Sequence, residues 1–208
     1  PSLQDFNEMG DLHCRLLKGS MVEWFGARYA SALYAYLCGS AQEAVLRVHR
    51  DGHIVACCVV SFSPTSLSKR LFFNTPLLKE FPFALLRMPL ANMMRTQFGG
   101  MFDAKRRGRL DKKEANELKC MPEVVWIFVD EAYQGCGIGR ELLELAEAEV
   151  ILRGNSSYIV KTSEGDTSGP KPFYQRLGFS ARHKVQERGS SFLVMVKSGL
   201  RPLNGNNS

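Results

Sequence analysis

The 208-residue chain reads as an α/β fold of the α+β kind, with helices packed on a mixed, mostly antiparallel central sheet. Three observations predict it. Arg50-Asp51-Gly52 joins two β-rich apolar runs, and an Asp-Gly turn in that setting marks a hairpin. Glu123 to Thr162 reads strand, glycine loop, helix, strand, and a βαβ crossover makes its two strands parallel. Phe179–Glu187 and Ser191–Lys197 then form a closing hairpin about Arg188-Gly189-Ser190. One domain is expected over residues 1–208, with a basic helical insert at about 65–120 and a disordered tail at about 200–208.

Each element has a local cause. Ser2-Leu3-Gln4-Asp5 resembles a capping box with Asp in place of Glu, and Phe6, Met9, His13 and Leu16 follow at helical spacing up to Gly19. A second helix is expected from Ser20, with Val22, Phe25, Tyr29, Ala32, Leu33, Tyr36 and Leu37 on one continuous face, ending at Gly39. Ala44–His49 and His53–Phe62 are the hairpin strands, closed by Ser63-Pro64. Leu67 to Cys120 shows helical clusters of apolar residues and a basic knot at Lys105 to Lys113. After the strand Glu123–Val129, the helix beyond the glycines should bury Ile138, Leu142, Leu145, Ala146 and Val150 and stop at Gly154. Tyr158–Thr162 is the next strand, and Pro170 and Gly178 bracket a short helix, about Lys171 to Leu177.

Composition narrows the class. With 45% hydrophobic and 23% charged residues the chain can bury one good core. Its greasiest stretch, Phe81 to Met94, carries Arg87, Pro82 and Pro89, so it falls short of a membrane span. No basic-then-apolar leader is present, although the first residue is Pro1 rather than Met. The six cysteines show no metal-site spacing with the four histidines, so no metal is expected. Cys57 and Cys58 are adjacent in an apolar strand and should be buried on opposite faces, as free thiols of a cytoplasmic protein. The formal charge is +6, yet Thr65 to Cys120 holds 12 Lys plus Arg against 5 Asp plus Glu, which leaves the remainder near neutral.

The glycine loop carries the chemistry. Gly135, Gly137 and Gly139 stand between a strand and a helix, with no acidic side chain from Gln134 to Arg140. Glycines let a ligand approach the backbone, and the first turn of a helix offers unpaired N–H groups and a partial positive charge, to which Arg140 adds. An anion is the natural ligand, although a plain tight turn explains the same glycines. The G-x-G-x-G spacing fits neither a phosphate loop ending in Lys-Ser or Lys-Thr nor the G-x-G-x-x-G dinucleotide loop.

Gln134-x-x-Gly137-x-Gly139 resembles the acetyl-CoA motif of the GNAT superfamily, and Val129-Asp130-x-x-Tyr133-Gln134-Gly135 is similar to its usual approach. Pro172-Phe173-Tyr174-Gln175-Arg176-Leu177-Gly178-Phe179 resembles the same family's downstream signature. Leu12 to Leu17 and Phe25 to Tyr29 resemble the two helices that follow its first strand, so the likeness covers most of the chain outside the insert. The resemblance implies a sheet whose fourth and fifth strands are parallel and splay apart, and a first strand that would precede Pro1. It also implies acetyl-CoA as co-substrate and N-acetyl transfer to a primary amine. A catalytically inactive acyl-CoA-binding regulatory module is the alternative.

By the same resemblance Tyr174 is the candidate general acid, although a packed aromatic would look alike, and Glu123 the candidate general base. Glu164 and Asp166 are weaker alternatives to Glu123. The backbone of Phe128 and Val129 would pair with the pantetheine amides, and Gln134, Gly135, Cys136, Gly137, Ile138, Gly139 and Arg140 would hold the pyrophosphate. Cys136 fills the variable slot of the motif. Many family members have an Asn before the short helix, where this chain has Gly165 to Pro170, so Ser168 or Thr167 is expected to substitute.

The insert holds a decoy. Asp103 to Glu114 resembles an EF-hand loop in outline, but Lys105 and Arg107 fall at ligand positions and six basic residues oppose three acids, which disfavours calcium. As a basic segment beside Phe72, Phe73, Leu77, Leu78, Phe81, Phe83, Leu85 and Leu86, the insert suits a substrate lid, peripheral membrane contact or partner docking. It lacks a nucleic-acid-binding pattern, so nucleic acid is not the expected partner. A small-molecule or peptide amine is the expected acceptor, and a homodimer stays open.

Overall fold

The computed structural model describes residues 1–73, 79, 117–118, 120–163, 170–187 and 190–201. The elements in chain order are α1 (Leu3–Leu16), α2 (Met21–Phe25), α3 (Ala27–Gly39), β1 (Glu43–Arg50), β2 (His53–Ser61), α4 (Pro64–Phe72), β3 (Glu123–Val129), a 3₁₀ turn (Glu131–Tyr133), α5 (Ile138–Leu152), β4 (Ser157–Ser163), α6 (Lys171–Arg176), β5 (Ser180–Glu187) and β6 (Ser190–Ser198). The strands form a six-stranded sheet in the order β1-β2-β3-β4-β6-β5. Among these pairs only β3 and β4 run parallel, as the crossover requires. Among the described residues no strand precedes α1.

Local sequence explains the first layer. Ser2 caps α1 by accepting from the Asp5 N–H at 3.1 Å, while the Ser2 N–H donates to the Asp5 carboxylate at 2.8 Å. The continuous helix expected from Ser20 to Gly39 is in fact two. Gly26 adopts φ 86 and ψ 173, a backbone state open to glycine, and its N–H closes α2 on the Val22 and Glu23 carbonyls. The apolar stripe spans this break because α2 and α3 bury their sides against the same sheet face.

Asp51 at φ 52 and Gly52 at φ 82 make the tight turn between β1 and β2. β2 is buried along almost its whole length because both faces are covered. Cys57 and Val59 pack with Met9, Leu33, Leu37 and Leu67 from α1, α3 and α4. Cys58 and Val60 face the other way, onto Leu142, Ala146 and Val150 of α5. The adjacent cysteines thus lie on opposite faces, both with thiols pushed up by burial.

α5 keeps its expected bounds with one correction to its inner face. Leu143 is fully buried, whereas Leu145 is 43% exposed, because the covered arc runs from Ile138 through Leu142, Ala146 and Val150 to Leu143 and leaves Leu145 outside its Ile138 edge. Each fully buried leucine contributes about 2 kcal/mol of apolar burial, enough to seat α5 firmly over β1 to β3. The EF-hand-like segment 103–114, most of the insert and the tail 202–208 lie outside the described residues.

Candidate active site

β3 is built to leave one neighbour. Its antiparallel register with β2 runs Ala56/Val129, Cys57/Phe128, Cys58/Ile127 and Val59/Trp126, then jumps to Val60/Val124 and Ser61/Glu123. The skipped Val125 is a bulge, which bends the strand and raises its twist. On the other edge β3 pairs with β4 only at Glu123/Ile159 and Val124/Val160. Beyond the bulge the two parallel strands part, and a seam opens toward the C-terminal end of β3.

Backbone direction shows which groups face that seam. The Asp130 N–H donates to the Val55 carbonyl of β2 at 2.8 Å, so the Val129 carbonyl on the same peptide points away from β2. The Gln134 side-chain amide meets that carbonyl at 3.1 Å. Alternation then turns the Phe128 peptide groups toward β2 and those of Ile127 toward the seam. Of the pair Phe128 and Val129, therefore, Val129 presents its backbone to the opening, and Ile127 takes the place expected of Phe128. The Phe128 side chain is buried against His13 on the α1 side. Strand alternation is the reason, since the peptide groups of two adjacent residues cannot both face one edge.

The glycine loop stands at the mouth of the seam. Asp130 accepts from the Ala132 N–H at 3.1 Å and starts the 3₁₀ turn, and it is tied to α1 by an ion pair with Arg15 at 2.6 Å. The Arg15 hydrogen bond is the main cause that holds the Asp130 carboxyl below its usual range. Gly137 is left-handed at φ 84 and caps α5 without a side-chain hydrogen bond. Among the described residues no group accepts from the N–H groups of residues 135–139. Five consecutive donors and the positive end of a 15-residue helix thus face outward. Gln134, Gly135, Cys136, Gly137 and Arg140 are exposed, while Ile138 is buried and anchors the loop. A β-carbon placed on Gly135 or Gly137 would meet nothing within 4 Å, so the space before them is open.

α6 brings the second half-motif onto the first. Phe173 packs against Gly139, and Tyr174 is buried beside Phe179 and Tyr158 on the α5 face of the sheet. Burial raises the phenol further above its ordinary value, which keeps it protonated at neutral pH. Thr162 lies on β4, two residues past the last β3 partner. Its Oγ1 is buried without a hydrogen-bond partner among the described residues, a state that calls for a ligand or solvent.

Glu123 is on the other side. Val124 packs in the α5-side core, so Glu123 points to the α1–α4 face, where it pairs with Lys161 of β4 at 3.2 Å. Lys161 was not singled out from the sequence, although a lysine inside an apolar strand is a visible signal. Ser168, Thr167, Glu164 and Asp166 lie outside the described residues. Among the described residues there is no group of three or more metal-ligating side chains.

A mixed sheet whose one parallel pair opens beside a strand–glycine loop–helix defines the class of acetyltransferase-fold proteins. Residues 104–181 match the profile of the acetyltransferase (GNAT) domain, a stretch that takes in both the loop and α6. Solved structures agree on the fold. One described as an acetyltransferase is 18% identical, with a TM-score of 0.58 and coverage of 95% of this chain and 96% of that one. The ribosomal-protein-S18-alanine N-acetyltransferase from Escherichia coli is 13% identical, with a TM-score of 0.55 and coverage of 100% and 95%. An aminoglycoside 6'-N-acetyltransferase complexed with coenzyme A is 11% identical, with a TM-score of 0.56 and coverage of 94% and 91%. A sequence comparison with curated proteins gives no match.

Proposed function

We propose that this chain is an N-acetyltransferase that moves an acetyl group from acetyl-CoA to a primary amine by direct attack. The observation that carries the reading is the seam between β3 and β4, with five unbonded N–H groups at its mouth. Acetyl-CoA fits these residues chemically and supplies an activated thioester. The N–H groups of residues 135–139 and Arg140 would hold its pyrophosphate. The Val129 and Ile127 peptide groups, with the orphaned Thr162 hydroxyl, would pair with the pantetheine arm, and Ser168 is the remaining candidate for that arm.

The acid and the base divide between the two faces of the sheet. Glu123, on the α1–α4 face, takes a proton from the incoming ammonium through water. The amine nitrogen forms its bond to the acetyl carbon as the carbon–sulfur bond breaks. The N–H groups of the open β3 edge ease the charge on the carbonyl oxygen, and Tyr174, on the α5 face, gives its proton to the departing sulfur. Because a coenzyme A thiolate leaves readily, alignment of the two reactants supplies most of the acceleration.

The acceptor is proposed only as a class, a small-molecule or peptide amine. The names of an aminoglycoside acetyltransferase and a ribosomal-protein acetyltransferase, both of this fold, span those two kinds. We place the protein in the cytoplasm on the strength of its six free cysteines, two of them exposed. No helix among the described residues is long and apolar enough to cross a membrane.

The test is thiol release from acetyl-CoA with a panel of primary amines. Wild type should turn over at least one amine, and Tyr174→Phe should lower kcat by about tenfold or more with unchanged coenzyme binding. Tight coenzyme binding with no thiol release above background for any amine would instead support an inactive acyl-CoA-binding module.

A further inference from the structure

Four strands carry one polar row on the α1–α4 face. Glu43 of β1 is opposite Ser61 of β2, Ser61 is opposite Glu123 of β3, and Glu123 is opposite Ile159 of β4, two residues before Lys161. The Ser61 hydroxyl donates to the Glu43 carboxylate at 2.9 Å, so that hydroxyl proton is committed away from Glu123. Glu43 is also paired with Arg70 of α4. Lys161 forms its ion pair with Glu123 at 3.2 Å, with side chains 27% and 12% exposed. Beyond Lys161 the row runs through Val194 of β6 to His183 of β5. Among the described residues, the charged and titratable side chains of this row near Glu123 include Lys161 at contact, the Glu43–Arg70 pair across β2, and His183 across β6.

We propose that Lys161 is the positioning residue of the reaction, clasping the Glu123 carboxylate across the point where β3 and β4 separate. This inference rests on the reading of Glu123 as the general base. Glu123 and Val124 are the last β3 residues paired with β4, so backbone bonding alone leaves the base at a frayed boundary. A side-chain bridge from β4 to β3 at that boundary fixes both the width of the seam and the direction of the carboxylate. The adjacent ammonium of Lys161 sets a positive charge against that carboxylate at 3.2 Å. Lys161 touches neither reactant in this scheme, and it acts through Glu123.

The experiment compares Lys161→Met, Lys161→Arg and Glu123→Gln by steady-state thiol release across pH 5.5 to 9.5, using acetyl-CoA and whichever primary amine of the panel wild type turns over. Coenzyme A binding by calorimetry and thermal melting accompany each variant. Lys161→Met should lower kcat by about tenfold, leave KM for acetyl-CoA within about twofold, and move the acid limb of the profile to higher pH. Lys161→Arg should return kcat to within about threefold of wild type. A Lys161→Met profile that superimposes on wild type, while Glu123→Gln abolishes the acid limb, overturns the role of Lys161 and spares the base. A loss that tracks lowered melting and is not rescued by arginine assigns the pair to stability and also overturns it. An unchanged limb in Glu123→Gln removes the base reading itself, and Lys161 falls with it.

Discussion

The ring of Phe173 stands over Gly139, so that a β-carbon on that glycine would come within 3.3 Å of the Phe173 Cζ and 3.9 Å of the Val129 Cγ2. Two segments far apart in sequence, the glycine loop and α6, are thereby docked on each other and on the end of β3. This close approach predicts a graded response. Gly139→Ala needs the ring to yield by a few tenths of an ångström, and the better helix propensity of alanine offsets part of that cost. Gly139→Val overpacks the contact and should cost about 1–3 kcal/mol, with coenzyme binding weakened as α6 is pushed away. Gly137 behaves differently, since its surroundings are open and its φ of 84 is the constraint. Gly137→Ala should cost about 1–2 kcal/mol through backbone strain alone. Urea denaturation of the three variants, read beside coenzyme A titration, checks the order.

His13 predicts a pH window. Its ring is fully buried, with Nδ1 2.8 Å from the Tyr34 hydroxyl and edge contacts to Trp126 and Phe128. Burial pushes its pKa down to about 4. The unfolded state therefore binds the extra proton between about pH 6.5 and pH 4, and stability falls as pH drops through that window. The full loss is about 3 kcal/mol. Asp130 and Glu8, whose carboxyls are held low by hydrogen bonds, contribute stability that disappears only at more acid pH, so the two effects separate. Urea midpoints at pH 7.0 and 4.5 should differ clearly for wild type. They should differ much less for His13→Met, although that variant is weaker at neutral pH because the Tyr34 hydroxyl loses its partner.

Elements governed by local rules were legible in the sequence. The Ser2 cap, the Asp51-Gly52 turn and the strand–glycine loop–helix beginning at Glu123 each follow from neighbours within a few residues. The seam was not legible in the same way. It depends on the bulge at Val125, and Glu123–Val129 contains neither glycine nor proline to mark an irregularity. The backbone of Phe128 was expected at the seam beside that of Val129, but peptide groups of adjacent strand residues face opposite edges, so Phe128 turns to β2 and Ile127 to the seam. Lys161 and Glu43 escaped notice because their partners, Glu123 and Arg70, come from other strands and helices. Helical periodicity gave Leu145 as an inner residue of α5, but which of Leu143 and Leu145 is covered depends on how the helix is set across the sheet.

The Glu43–Arg70 pair predicts how the helical segment after β2 is held. Glu43 is 3% exposed, accepts from Ser61 and from Ser40, and meets the Arg70 guanidinium, which also reaches Gln42 and Ser66. A buried carboxylate that loses its cation stays in an apolar setting with its charge uncompensated, so Arg70→Met should cost about 3 kcal/mol or more. Glu43→Gln keeps the size and the hydrogen-bonding reach of the side chain and removes the buried charge. In the double variant the methionine no longer strands a carboxylate, so Arg70→Met with Glu43→Gln should be more stable than Arg70→Met alone by about 1 kcal/mol or more. Urea denaturation of the two singles and the double measures that coupling. Strict additivity would mean that solvent reaches Glu43 and that α4 is held by Leu67 and Leu71 rather than by charge. Strong coupling would mean that Arg70 orients α4 on the sheet.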